Sequence, residues 1–201
     1  AVVVSIPCAV AGIVVGILTH TGLGLKVSAM IASMAGGSLL LALFFSMIMV
    51  IVLGMGMPTS AAYIMSAVIL APALQKLGVL PIVSHMFIFY FPNLSMITPP
   101  VALASYTAAG VAKTPFWETG IEAFKYSFVI FLIPYIFAFN PALMGLGTPL
   151  QILMVVSSTI IGLVAMAIAI IGFYKSKVST FMRVILVAIA LLLIIPETIT
   201  D

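Results

Sequence analysis

A short polar stretch, GMGMPTS at residues 54–60, interrupts the most apolar part of the sequence. The apolar runs on either side of it, residues 38–53 and 61–77, are 16 and 17 residues long. An α-helix needs about 20 apolar residues to cross a bilayer, so each run is only marginally long enough. Two arrangements therefore remain open. The runs form either two short crossing helices joined by an external turn, or the arms of a re-entrant hairpin whose tip lies inside the membrane.

The composition indicates a membrane environment. Hydrophobic residues make up 65% of the 201 residues and charged residues only 5%, whereas a soluble domain carries roughly 25% charged residues. We therefore expect an all-α membrane protein embedded in a lipid bilayer. The seven basic residues are too few and too dispersed for a nucleic-acid interface. The single cysteine, Cys8, has no disulfide partner and is expected to pack among apolar side chains.

The apolar pattern divides the chain into four helical parts. In chain order they are a spanning helix with an interfacial connecting helix (1–37), the hairpin and a broken helix (38–113, with arms at 38–77 and the break within 80–113), an amphipathic segment with a spanning helix (114–145) and a C-terminal helical pair (146–201). The first residue is not Met, and we interpret the chain as a fragment of a longer protein.

The broken helix contains Pro92, Pro99 and Pro100, which lack an amide donor and clash with preceding carbonyls. One interpretation is a kinked helix whose hydroxyls bond back to the preceding turn. The other is an unwound segment, which is tolerated at membrane depth only where it is buried in protein or lines a cavity. Secondary transporters bind ions and anionic substrates at paired interruptions of this kind. We therefore expect the tip, 54–60, to contact the break, 95–101.

The basic residues predict an orientation. With a re-entrant hairpin, one face receives five basic residues and the other receives two, together with the acidic tail. The positive-inside rule makes the first face cytoplasmic. Separate crossing of the two arms moves Lys26 to that face and makes the split six to one, so the charges do not decide between the arrangements. The predicted cytoplasmic residues are Lys113, Lys125, Lys175, Lys177 and Arg183. The predicted external ones are Lys76, Glu197 and Asp201 in both arrangements, and Lys26 only with a re-entrant hairpin.

Three motifs carry a resemblance to a known family: LGMGMPTSAAYIMSAVILAPAL, SHMFIFYFPNLSMITPPVALASYTAAGVA and FLIPYIFAFNPALM. Over roughly residues 1–145 the chain resembles the C-terminal half of the large membrane subunit of tripartite ATP-independent periplasmic (TRAP) transporters, in the fused-permease branch that works with TAXI-type binding proteins. The resemblance implies an elevator-type sodium symporter of two inverted repeats in the bacterial or archaeal cytoplasmic (inner) membrane. It also implies that a periplasmic binding protein delivers an organic acid, and that the N-terminal repeat and small-subunit helices belong to the same permease.

Oxygen ligands from carbonyls and hydroxyls suit sodium, a hard monovalent cation, and no carboxylate lies near the two interruptions. We expect sodium as the coupling ion and neither a cofactor nor another metal. The Thr98 hydroxyl is expected to point toward the break instead of bonding the previous turn. Helix starts at Ser60 and Val101 would favour an anionic substrate. The expected sodium ligands are Gly54, Met57, Ser95, Thr98 and Val101. The expected substrate contacts are Gly56, Pro58, Thr59, Ser60, Asn93 and Pro99.

Other functions stay open at this point. A divalent-anion/sodium symporter-type carrier without a binding protein shares the architecture, and a structural subunit would explain the hydrophobicity but not the two interruptions. An intramembrane enzyme is less favoured, because the chain has no HExxH motif, GxSxG elbow or inward acidic pair. An intramembrane His85 is a functional candidate, but we favour an interfacial hydrogen bond over a transport role for it.

Overall fold

The structure, a computed structural model, describes the backbone of residues 2–194 and the side chains of these residues except 2–8, 11 and 19. The expected packing of Cys8 and the expected external tail at Glu197 and Asp201 lie outside this description. The described chain is all-α apart from a two-residue β-ladder. It divides into two compact units at Ile121/Glu122, so the units do not coincide with the four parts expected from the apolar pattern.

The helices of the first unit follow the predicted order. They are α1 (Val2–Thr21), α2 (Leu23–Ala35), α3 (Leu39–Gly54), α4 (Thr59–Lys76), α5 (Pro81–Ser95), α6 (Leu103–Ala112) and α7 (Phe116–Ser127), of which α7 runs across the boundary of the units. The axes of Gly12–Leu18 and Leu23–Ala35 differ by 71°, so the chain bends sharply between α1 and α2.

Helices α3, α4 and α5 pack together, and each of them contacts the other two. The buried residues of α3 recur every three or four positions from Ala42 to Gly54, which places them on one helix face. Phe87 and Phe91 of α5 are fully buried and their rings make an edge-to-face contact at 4.9 Å. Lipid is as apolar as these side chains, so close packing rather than the hydrophobic effect holds such helices together in a membrane.

Helix α2 packs on α4 at a defect caused by Pro72. Pro72 lies inside α4 and lacks the amide that would bond the Val68 carbonyl four residues earlier. At this level the buried Ser28 hydroxyl of α2 donates to the Ile69 carbonyl, and Gly24 of α2 lies so close that a Cβ on it would be 3.8 Å from the Val68 oxygen. The contact therefore joins the connecting helix to the second arm of the hairpin.

The second unit contains the remaining elements. They are a 3-10 turn (Phe128–Leu132), α8 (Ile133–Phe139), a second 3-10 turn (Pro141–Met144), α9 (Pro149–Ile171), β1 (Phe173–Tyr174), β2 (Ser176–Lys177) and α10 (Thr180–Ile194). Thr148 and Gln151 form a capping box at the start of α9, which satisfies two otherwise unpaired amides. At the other end of α9 the chain turns through the ladder and packs back as α10.

Among the described residues, two helical runs are long and apolar enough to cross a membrane, Phe116–Phe139 and Pro149–Ile171, and the bent α1–α2 pair would add a third. The first run includes both the amphipathic segment and the expected spanning helix, so these two parts form one helical stretch. Helices α3, α6 and α10 are apolar but shorter, with 16, 10 and 15 residues. The short length of α3 agrees with the marginal length of the first apolar run.

Candidate functional site

The non-helical tip of the hairpin is shorter than the polar stretch 54–60 from which it was predicted. Helix α3 extends to Gly54 and α4 begins at Thr59, so only residues 55–58 are non-helical. Gly56 has a φ of 77°, a left-handed conformation that glycine adopts without a Cβ clash. Pro58 precedes the first residue of α4, and its carbonyl accepts the Ala62 amide at 3.0 Å. The chain can therefore turn tightly at the tip because of the backbone conformation of Gly56 and the position of Pro58 before α4.

The predicted break in the helix that follows the hairpin is confirmed. Helix α5 ends at Ser95 and α6 begins at Leu103, with Pro99 and Pro100 in the intervening segment. Pro92 does not contribute to the break, because it lies buried inside α5. Ala102 has a φ of 32°, which is rare for a residue with a side chain. The two helices that flank the break are therefore linked by unwound backbone.

One spacing recurs at both interruptions. Gly54 is followed four residues later by Pro58, and Ser95 is followed four residues later by Pro99. Each carbonyl therefore lacks the amide that would bond it in a continuous α-helix. The Gly54 oxygen instead accepts the Met57 amide at 3.4 Å, and the Ser95 oxygen accepts the Thr98 amide at 3.2 Å. Both carbonyls are left with bonds longer than the usual 2.9–3.0 Å.

The expected contact between tip and break is present at Gly54 and Ser95. Both residues are buried, and the Ser95 hydroxyl lies 3.4 Å from the Gly54 oxygen. The same hydroxyl lies 2.8 Å from the Pro92 oxygen, which is the better acceptor by distance. A Cβ on Gly54 would be 2.9 Å from the Ser95 Oγ and 3.5 Å from the Pro92 Cα. Only glycine allows this approach without a shift.

The expected direction of the Thr98 hydroxyl was wrong. Thr98 Oγ1 donates to the Leu94 carbonyl at 2.7 Å, so it bonds the previous turn. Asn93 Nδ2 likewise donates a hydrogen bond to the Phe89 carbonyl of the previous turn, at 3.0 Å. The cause is local: a hydroxyl four residues after a helical carbonyl reaches it more readily than any group across the break. A hydroxyl that donates its hydrogen keeps its lone pairs, so the oxygen of Thr98 still qualifies as a ligand.

The two expected ligand sets differ in exposure. The five expected sodium ligands are all buried or half-buried, with Gly54 and Ser95 the buried ones. Of the six expected substrate contacts, Gly56, Ser60 and Asn93 are exposed, and Pro58, Thr59 and Pro99 are half-buried. In the described chain no hydrogen bond links Met57, Thr98 and Val101 to one another. The structure thus brings Gly54 and Ser95 together. The other three expected sodium ligands lie nearby in the chain, in the tip or in the break.

The helix starts near the site are shifted from their expected positions. Helix α4 begins at Thr59 rather than Ser60, and α6 begins at Leu103 rather than Val101. The second shift arises because the Ala102 amide bonds the Thr98 carbonyl at 3.1 Å and the Ala104 amide bonds the Met96 carbonyl at 2.9 Å. These bonds close a turn that delays the start of α6.

Sequence reasoning missed Ser105. This residue lies in the first turn of α6, it is 5% exposed, and its hydroxyl has no hydrogen-bond partner in the described chain. Buried hydroxyls are normally bonded to protein, water or an ion. The sequence could have pointed to Ser105 only through its position three residues into a helix that follows a proline-containing break. Many serines that bind no ligand occupy such positions.

His85 forms a hydrogen bond whose partner the sequence did not predict. Its Nδ1 lies 3.0 Å from the Tyr63 hydroxyl, and the Tyr63 ring also packs edge-to-face on Phe89 at 5.5 Å. The bond joins α4 to α5 and is a pairing between two helices, which agrees with a hydrogen-bonding role rather than a ligand role for His85. Among the described residues, no group of three or more His, Cys, Asp or Glu side chains could hold a metal ion.

A protein-family model matches most of the chain. The model of the family "Tripartite ATP-independent periplasmic transporter, DctM component" matches residues 1–148. This chain belongs to the DctM component family. No curated protein and no solved structure matched the chain. The resemblance to the large subunit of TRAP transporters is therefore confirmed.

Membership makes the chain a permease component of a TRAP-type secondary transporter, a transporter family and not an enzyme family. The DctM component works with a substrate-binding protein and a small subunit in these systems. The matched residues of this DctM chain include both the tip and the break. Helices α9 and α10 follow the matched region.

Proposed function

We propose that the junction of tip and break forms one half of a sodium and substrate site, in a permease that imports an organic carboxylate. The observation that carries the proposal is the buried Gly54 carbonyl. The amide that would bond this carbonyl in a continuous helix is missing, because residue 58 is a proline. The two remaining contacts of the carbonyl, with the Met57 amide and the Ser95 hydroxyl, are both 3.4 Å long. A buried carbonyl without a short hydrogen bond costs free energy unless another group binds it.

Sodium is the group that fits this carbonyl. It prefers oxygen ligands and, as a monovalent ion, is compatible with a neutral set of carbonyls and hydroxyls. The Gly54 and Ser95 backbones supply such oxygens at the junction. The remaining proposed ligands are Met57, Thr98 and Val101, to which the unpartnered hydroxyl of Ser105 is added as a candidate.

A carboxylate substrate fits the more exposed half of the site. Helices α4 and α6 both begin next to an interruption, and helix N-termini favour negative charge through their unpaired amides and dipoles. The proposed substrate contacts are Gly56, Pro58, Thr59, Ser60, Asn93 and Pro99. The exposed positions among them can contact a substrate or the N-terminal repeat of the permease.

The wider assembly follows from the same proposal. A re-entrant hairpin at 38–77 places the junction near the middle of the membrane, where unwound backbone needs a protein or cavity environment. The N-terminal inverted repeat would complete the site, and an elevator movement would carry it across the inner membrane of a bacterium or archaeon. The proposed soluble partner is a periplasmic TAXI-type binding protein, with small-subunit helices in the same permease.

Uptake by the complete permease in proteoliposomes tests the proposal. With the matching binding protein outside and an inward sodium gradient, labelled carboxylate should accumulate, and replacing sodium by potassium should abolish accumulation. Accumulation that needs sodium but not the binding protein would favour the divalent-anion symporter alternative. Accumulation that is unchanged in potassium would contradict the sodium site.

A further inference from the structure

The turn between α9 and α10 carries three basic residues without acidic partners. Lys177 lies in β2, Lys175 lies in the bend between the two strands, and Arg183 lies in the first turn of α10. The acidic residue of the described second unit is Glu122, which pairs with Lys125 at 3.5 Å. The turn therefore has a net positive charge that no described carboxylate balances.

The backbone places the end of α9 and the ladder beside Arg183. Lys177 pairs with Phe173 in the ladder, and Phe173 follows Gly172, where a Cβ would be 3.3 Å from the Arg183 guanidinium carbon. Arg183 donates its Nε to the Ala169 carbonyl at 2.6 Å and its Nη2 to the Ile170 carbonyl at 3.1 Å. These two bonds fix the guanidinium and leave part of its five-donor capacity unused.

An apolar groove begins at one of these charged residues, Arg183, which lines it. It has a volume of about 640 Å³ and runs along α10 from Thr180 and Arg183 to Leu191, with Ala169 and Ile170 of α9 on its other wall. Eleven residues of helix rise correspond to roughly 16 Å, about half of the ~30 Å hydrocarbon core. The groove thus matches one acyl chain within one leaflet in length and in polarity.

We propose that this groove and the basic turn bind one anionic phospholipid, with its phosphate at Lys175, Lys177 and Arg183 and an acyl chain along α10. Charge complementarity selects an anionic headgroup. The start of α10 adds favourable helix-terminal amides near the phosphate. The groove selects a lipid over free phosphate, since a free anion would leave the apolar wall unfilled. The site lies in the helical pair that follows the family match and is independent of the sodium proposal.

Native mass spectrometry of the complete permease tests this proposal. After delipidation, the protein is titrated with phosphatidylglycerol or phosphatidylcholine of identical acyl chains. We expect one phosphatidylglycerol to bind preferentially. The double variant K175Q/K177Q should weaken that binding about 30-fold, from a roughly five-fold effect per lysine near a membrane surface. Equal binding of the two lipids would overturn the proposal.

Three controls make the result specific. Lys125→Gln removes one charge from the same unit, at an existing ion pair, and should leave lipid binding unchanged. If it weakened lipid binding as much as K175Q/K177Q does, the proposed site would be overturned. Leu191→Trp keeps every charge but fills the groove and should also weaken lipid binding, whereas unchanged binding would overturn the acyl-chain position. Millimolar inorganic phosphate should not displace the lipid, and displacement would assign the turn to a free anion. Melting temperature checks the fold of each variant.

Discussion

The Ser95 hydroxyl lies 3.4 Å from the Gly54 carbonyl, across the junction between the hairpin tip and the broken helix. It lies closer, at 2.8 Å, to the Pro92 carbonyl of its own helix. One hydroxyl hydrogen is therefore shared unequally, and the Gly54 carbonyl receives the weaker part. The two interruptions thus meet through a buried acceptor that is not fully satisfied.

Gly54→Ala should destabilise the junction by about 1–3 kcal/mol, the usual cost of overpacking. The added Cβ would lie 2.9 Å from the Ser95 Oγ. Thermal unfolding in detergent measures the effect, and Gly16→Ala is the matched control because nothing lies within 4 Å of its Cβ position. Adding Ser95→Ala should recover part of the loss, and no recovery would mean that Ser95 is not the source of the clash.

Thr98→Val should raise the sodium concentration for half-maximal uptake several-fold, from the loss of one oxygen contact of about 1 kcal/mol. Thr98→Ser keeps the oxygen and should behave like the native protein. Thr107→Val is the control, since Thr107 makes the same type of back-bond, to Leu103 at 2.8 Å, on the exposed side of α6. An unchanged sodium dependence in Thr98→Val would remove Thr98 from the site.

Ser105→Ala should weaken sodium dependence without lowering the melting temperature. The hydroxyl makes no described hydrogen bond, so a purely structural role predicts neutral or improved stability. Ser66→Ala is the matched control, because Ser66 is equally buried and unpartnered but lies two turns into α4. Equal uptake curves for both variants and the native protein would show that Ser105 is not a ligand.

Arg183→Gln should lower the stability of the α9–α10 pair by about 1.5–3 kcal/mol, the range for a hydrogen bond to a charged group. The change loses guanidinium bonds to two carbonyls at the end of α9, where a cation also complements the helix dipole. Chemical denaturation of the purified chain measures the difference. Lys177→Gln has the same charge change without these bonds, and a similar loss there would point to charge rather than capping.

Cysteine labelling in intact cells should find positions 113 and 176 protected from an impermeant reagent and position 76 accessible. The reason is the five-to-two division of basic residues. The native Cys8 must first be replaced by alanine, because it is the single cysteine in the chain. External labelling at 113 or 176 would reverse the predicted orientation.

The sequence by itself determined which two carbonyls, at the tip and at the break, lose a helical partner. Pro58 and Pro99 each remove an amide from a fixed position, although Pro72 and Pro92 do so without ending their helices. The all-α membrane class was likewise predictable. These features follow from local backbone chemistry and from the scarcity of charge, so they could be predicted without a structure.

Only the tertiary structure decided which groups use those interruptions. The approach of Ser95 to Gly54, the bond between Tyr63 and His85, and the contact of Ser28 with Ile69 all join residues that are far apart in sequence. Such pairings depend on the register of packed helices, which hydrophobic pattern alone does not specify in a chain that is apolar on almost every face. The direction of the Thr98 hydroxyl was predicted wrongly for a different, local reason. The Leu94 carbonyl, four residues earlier in the same helix, competes with the break for the hydroxyl hydrogen and accepts it at 2.7 Å.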